Sequence, residues 1–258
     1  MDREPVIVVE NLRATYGDHL VLDNVSFRVY PGEIFVIVGG SGCGKSTLLR
    51  FLIGLYRPEF GRVVVNGVDM AIADEEEKRR LTRTMGVLFQ SSALLGSMTL
   101  AENVSLPLKE HTNFPDETIE KIIQMKLGLV HLSGYEDYLP SELSGGMRKR
   151  AGIARAMALD PTILFFDELS AGLDPVTSAE LDVMVRSINE GMGTTIVVVT
   201  HELESIFFLA HRVIMLDKDA KGIIAEGDPR VLKEKSIDHR VSDFFNRRSP
   251  TWGKGAKD

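Results

Sequence analysis

The chain has 258 residues, a formal net charge of −7, 44% hydrophobic and 26% charged residues. That balance is ordinary for one globular α/β domain, and the acidic total excludes a general nucleic-acid binder, which needs a basic face. The single cysteine, Cys43, has no partner for an internal disulfide, and six histidines without a second cysteine give no metal-finger spacing.

The opening "MDREPVIVVE" puts charge and proline where a leader peptide needs a long apolar core. No apolar run approaches the ~18 residues of a membrane span, so the expected location is the cytoplasmic side of a membrane, without crossing it. Tyr16, in "ATYGDH", is either an ordinary aromatic at a strand turn or one that stacks on a base. Residues 34–38, "IFVIV", form a continuous apolar run, as do "MGVLF" (85–89), "ILFF" (163–166) and "TIVVV" (195–199). Runs of this kind suit strands covered on both faces, as in a parallel sheet. Helical patterns separate them: "KSTLLRFLIGL" (45–55), "SGGMRKRAGIARAMAL" (144–159) and "VTSAELDVMVRSINE" (176–190), with a mostly helical stretch over 91–143. Strands alternating with helices predict an α/β fold with right-handed crossovers.

Each strand hands over to polar or glycine residues at the same end. After the first comes a glycine-rich loop, after the second Gln90, after the third Asp167 and Glu168, after the fourth Thr200 and His201. Ligands of open parallel sheets bind at the carboxyl ends of the strands, so the four ends describe one site. The loop Gly39, Gly40, Ser41, Gly42, Cys43, Gly44, Lys45, Ser46 and Thr47 has the spacing of a phosphate-binding loop. Its glycines let N–H groups curl around phosphate oxygens, Lys45 adds a charge, and Ser46 offers a hydroxyl to Mg²⁺. Asp167 and Glu168 point to opposite faces of their strand end. Asp167 is thus expected to hold the metal through water, and Glu168 to polarise an attacking water. His201 either caps the helix that follows or contacts the γ-phosphate or that water.

One helix starts against the usual electrostatics. Ser144 is a good N-cap, Gly145 and Gly146 follow, and the first turn carries Arg148, Lys149 and Arg150 where acidic residues are favoured. Ser144 and the glycines read as a cradle for an anion. The three cations read as side chains on solvated or acid-paired faces.

The order "GGSGCGKST", "FQ", "LSGGM", "ILFFDE", "SAGLD" and "TH" resembles the ATP-hydrolysing subunit of ATP-binding-cassette (ABC) transporters, over residues from about 6 to 235. The resemblance implies a P-loop NTPase fold, with a RecA-like parallel-sheet core, an N-terminal antiparallel β subdomain and an inserted helical subdomain at about 91–158. The ATPase domain would span 1–240 and a tail 241–258. It further implies adenine stacking by Tyr16, Mg²⁺ at Ser46, Gln90 and Asp167, and catalysis by Glu168, His201 and Lys45. Asp174 joins the nucleotide-binding residues. Ser144, Gly145 and Gly146 would meet the ATP of the other subunit in a head-to-tail homodimer around two ATP. Permease subunits would dock near Gln90 and residues 91–98, although Leu94 and Leu95 also fit a core role. The chain would sit peripherally on the cytoplasmic face of the inner membrane.

Within that family the chain is similar to ATPases of lipid-transport systems with MCE-domain subunits, the Mla phospholipid pathway among them. Such a system implies MCE-domain and small accessory partners. Met147 for the commoner glutamine and the glycine of "SAGLD" occur in that branch, whereas Leu169 replaces the usual proline. Rival readings are an importer or exporter ATPase for another substrate, a soluble non-transport ABC ATPase, and a non-hydrolysing scaffold. Phe244 and Phe245 of the tail are expected to dock either on the dimer mate or an accessory subunit, or on their own domain.

Overall fold

The computed structural model describes residues 4–17 and 19–248. The side chain of Tyr16 and residues 249–258 lie outside the described residues, and the stacking role of Tyr16 and the basic end of the tail lie there with them. The elements in chain order are β1 (Ile7–Tyr16), β2 (His19–Val29), β3 (Ile34–Gly39), α1 (Lys45–Leu52), β4 (Phe60–Val65), β5 (Val68–Asp69), α2 (Glu75–Thr82) and β6 (Met85–Leu88). Then follow α3 (Leu100–His111), α4 (Asp116–Leu129), α5 (Gly145–Ala156), β7 (Ile163–Asp167), α6 (Pro175–Met192) and β8 (Thr195–Val199). The described chain closes with α7 (Leu203–Leu209), β9 (Arg212–Asp217), β10 (Gly222–Gly227), α8 (Pro229–Lys235) and α9 (His239–Phe245).

The strands form two sheets. One, ordered β2-β1-β4-β5, is antiparallel; the other is ordered β10-β9-β3-β8-β7-β6. In the second, β9, β3, β8, β7 and β6 run parallel and β10 adds an antiparallel edge. The four apolar runs are its inner and edge strands β3, β6, β7 and β8, and β3 and β8 are buried throughout. Because successive side chains face opposite ways, β3 feeds two cores. Ile34, Val36 and Val38 join the helical lobe, α5 and α6, whereas Phe35 and Ile37 join α1 and the antiparallel sheet.

The lobe begins with a capping box: Thr99 Oγ1 accepts from Glu102 N at 3.2 Å, and Thr99 N donates to Glu102 Oε2 at 2.8 Å. Its apolar stripe of Leu100, Val104, Leu108, Ile119, Ile123 and Leu127 enters the same core as α5 and α6. Val241 and Phe245 of α9 are buried in that core, and the Phe245 ring lies 6.0 Å from Phe207. Phe245 is therefore a domain residue rather than a docking residue for a partner, and Phe244, half-buried, packs edge-on against it.

Candidate nucleotide site

The glycine-rich loop after β3 is built by exclusion of side chains. β3 ends at Gly39, whose φ of 148° brings the chain against the end of β9; a Cβ there would lie 2.4 Å from Leu216 O and 2.6 Å from Cys43 Sγ. Gly44 is the N-cap of α1 with φ 100°, and no side chain caps the helix. The first-turn N–H groups of α1, at the positive end of its dipole, therefore remain available to an anion. Lys45 Nζ donates to Gly39 O at 2.9 Å and to Gly40 O at 3.0 Å, so the ammonium lies across the loop. Cys43 is buried, and burial pushes its thiol pKa up against the pull of the Lys45 charge. It serves the loop as a small apolar filler. Ser41, Gly42 and Ser46 are exposed, and Thr47 is half-buried.

Three strand ends beside the loop bring the remaining polar groups. Asp167 closes β7, and its Oδ1 is buried without a hydrogen-bond partner among the described residues. Burial and the neighbouring Glu168 carboxylate raise the Asp167 pKa, while Arg50, Lys45 and Lys149 pull it down. An orphaned carboxylate oxygen facing several cations is a group short of its own ligand. Glu168 leaves the strand with φ 50°, a left-handed conformation that costs about 1–3 kcal/mol for a non-glycine residue. Leu169, buried where the family resemblance has proline, permits that backbone. The turn is held by Glu168 N donating to Val199 O at 2.8 Å. It aims the carboxylate at His201, whose Nδ1 lies 3.0 Å from Oε1 and 2.9 Å from Oε2. His201 therefore does not serve as a helix cap: the cap of α7 is Glu202, with no side-chain bond. Gln90, exposed just beyond β6, gives its carbonyl to Lys149.

The α5 start is a genuine N-cap: Ser144 Oγ accepts from Met147 N at 3.2 Å. Its glycines have an additional reason within the chain. A Cβ on Gly146 would fall 2.5 Å from Thr177 Cγ2, so α5 meets α6 closely only without a side chain there, and one on Gly145 would come 3.1 Å from Leu173 Cδ2, just ahead of α6. Asp174 has a local occupation as well. It caps α6, accepting from Val176 N and Thr177 N, both at 3.0 Å, and from Thr177 Oγ1. Of the three first-turn cations, Arg150 pairs with Glu180 and Arg148 bonds Leu143 O at 2.5 Å. Lys149 corrects the expectation: it is buried, and its partners are two backbone carbonyls rather than solvent or an acid. The signal was present in the sequence, since Lys149 falls on the same helical stripe as Gly146, Gly152 and Ile153.

A model of the ABC transporter family matches residues 22–171, more than half of the chain. The chain belongs to the ABC transporter family. It is an ATPase subunit of that family. The intermembrane phospholipid transport system ATP-binding protein MlaF of Haemophilus influenzae is 38% identical over 95% of this chain and 91% of its own length. The probable ribonucleotide transport ATP-binding protein mkl of Mycobacterium tuberculosis is 40% identical over 94% of this chain and 67% of its own. The methionine import ATP-binding protein MetN of Brucella abortus is 39% identical over 87% and 60%. Among solved structures, a dimeric ATP-binding cassette bound to ADP and Pi in a post-hydrolysis state superimposes with a TM-score of 0.77 at 31% identity, covering 86% of this chain and 98% of that one. The cassette cbiO1 from Clostridium perfringens, part of an ABC transporter complex, gives 0.82 at 26% identity, with coverage of 95% and 97%. Among the described residues of this cassette, no helix is long and apolar enough to cross a membrane.

Proposed function

We propose that this ABC ATPase is the motor of a transporter that moves phospholipid in the bacterial envelope, working as a homodimer that clamps two ATP. The lipid reading is carried by the match to MlaF, which runs through nearly all of both chains, whereas mkl and MetN are matched over only part of their length.

In this reading the loop Gly39–Thr47 holds the phosphates with backbone N–H groups and the Lys45 ammonium. Glu168 Oε accepts a proton from water as the water oxygen attacks the γ-phosphorus and the bond to the bridging oxygen breaks, releasing ADP and phosphate. His201, whose Nδ1 makes its hydrogen bond with Glu168 Oε1 at 3.0 Å, fixes the carboxylate and reaches the γ-phosphate side. Ser46, Gln90 and Asp167 would hold Mg²⁺. The unpartnered Asp167 Oδ1 fits such an ion, and a site with few protein carboxylates is what Mg²⁺ takes when phosphates and waters complete its shell. When bound, the ion neutralises phosphate charge. Ser144 and the N–H groups behind it meet the γ-phosphate of the partner's ATP, and Asp174 shapes that interface through the α6 cap. The loop from 91 to 98 receives the permease: Leu94 packs partly into the core, which leaves Leu95, 46% exposed, as its apolar contact.

The test is purification of the chain with the products of its neighbouring genes. Co-purification of a membrane permease with an MCE-domain protein, and ATP-dependent transfer of labelled phospholipid between vesicles, is the expected result. ATPase stimulation by a water-soluble solute such as methionine, with no lipid transfer, would overturn the lipid reading.

A further inference from the structure

Strands β6 and β7 pair in parallel register from Met85↔Ile163 to Leu88↔Phe166 and then part. Continued by two residues, that register would set Gln90 opposite Glu168. The ladder has already stopped there, because Glu168 turns to φ 50° and Gln90 opens the exposed loop. At the point of parting stands Lys149, only 5% exposed. Its Nζ donates to Gln90 O at 2.6 Å and to Glu168 O at 3.2 Å.

A buried ammonium is costly unless its donors are used. Burial pulls the Lys149 pKa down, and the Asp167 and Glu168 carboxylates oppose the fall. Neither bonded oxygen is an acid. The lysine thus spends its two observed hydrogen bonds on main-chain positions, those of the loop after β6 and of the glutamate after β7. The same helix grips that loop again. Arg155 donates to Ala93 O at 2.7 Å and Ser92 O at 3.1 Å, where both residues have positive φ, and Gly152 lies against Leu88 and Ser92.

We propose that Lys149 is a positioning residue for ATP hydrolysis: as a cationic staple across the parted ends of β6 and β7, it sets the backbone of Glu168 relative to Gln90. The assignment rests on Glu168 being the residue that activates water. Because Lys149 lies on the helix that starts at Ser144, the staple ties the far phosphate-facing end of α5 to the chemistry at β7. It acts on the placement of the carboxylate and not on nucleotide affinity.

The test compares Lys149→Met, Lys149→Gln and Lys149→Arg in the full chain, measuring kcat, KM for ATP, affinity for a fluorescent ATP analogue, and Tm. The methionine variant keeps the volume and removes both donors. It is expected to lower kcat at least tenfold with nucleotide affinity changed less than threefold, and arginine, which keeps charge and donors, is expected to restore most of the rate. Glutamine, with one neutral donor group, falls between. If Lys149→Met fails to fold, the glutamine and arginine variants carry the same comparison. In a Glu168→Gln background, Lys149→Met is expected to add no further loss of rate, because both changes act on one group. A folded Lys149→Met or Lys149→Gln protein with wild-type kcat overturns the staple, as does a loss of affinity that matches the loss of rate. Wild-type turnover by Glu168→Gln alone overturns instead the role given to Glu168, so the two failures are distinguishable.

Discussion

His201 Nδ1 stands within 3.0 Å of both oxygens of Glu168, joining the end of β8 to the end of β7. A carboxylate held in this way is fixed in direction before any nucleotide arrives, which is what water activation requires. Glu168→Gln is expected to reduce steady-state ATP hydrolysis by about 10²–10⁴-fold, the usual contribution of a general base, and His201→Ala by about 10–100-fold. Nucleotide affinity is expected to persist in both. A phosphate-release assay with parallel binding titration checks this, and loss of binding in either variant would contradict the assignment.

Lys45 has no anionic side chain in its bonds; it donates to two loop carbonyls. Those bonds, one part-buried and one exposed, contribute about 1 kcal/mol or less each to the fold, so Lys45→Ala is expected to change Tm only modestly. Binding of ATP should weaken by at least about 100-fold, because the phosphates lose their nearest cation inside a loop of partial dipoles. Calorimetric titration beside a melting curve separates the two effects.

Gly146 has a partner that can be tested by exchange. Gly146→Ala places a methyl 2.5 Å from Thr177 Cγ2, forcing α5 away from α6. Overpacking of this sort destabilises by about 1–3 kcal/mol. Thr177→Ser removes Cγ2 and retains the hydroxyl that bonds Asp174, so the double variant is expected to recover most of the loss. Urea denaturation of the single and double variants measures it.

Asp182, buried on α6, has its pKa pushed up from 3.8 to about 6, mainly by burial, with Glu202 and Glu204 adding and the Ser205 hydroxyl opposing. The folded state therefore binds this proton more tightly than the unfolded chain. The stability it lends is complete below pH ~4 and is lost as the pH rises through 6. Asp182→Asn is expected to stabilise by about 1–3 kcal/mol at pH 8 and by nothing at pH 4. Equal gains at both values would contradict the account.

Much of this was legible in the residue order. The four apolar runs mark the inner strands β3, β7 and β8 and the edge strand β6 of the parallel sheet, and their polar followers lie at the same end of it as the candidate site, because a continuous apolar run has few other ways to read. The antiparallel sheet of β1, β2, β4 and β5 was expected only through resemblance, since β2 alternates exposed and buried residues without pointing to its partners. A lysine in a basic first turn reads as solvated, and although Lys149 shares a helical stripe with Gly146, Gly152 and Ile153, its carbonyl partners exist only where β6 and β7 part. The burial of Phe245 depends on Phe207, nearly forty residues earlier, and a seven-residue helix carries no trace of that distant contact. The second purpose of Gly146, room for Thr177, lies likewise in tertiary packing.

The composite site is tested most directly by sedimentation of the Glu168→Gln protein with and without ATP, repeated with Ser144→Arg added. ATP is expected to double the sedimenting mass of the first protein. With Ser144→Arg the mass should stay that of one chain although ATP still binds. A wild-type chain that splits ATP at full rate while sedimenting as a monomer, or a Ser144→Arg variant that loses ATP binding, would contradict the claim that each copy completes the other's pocket.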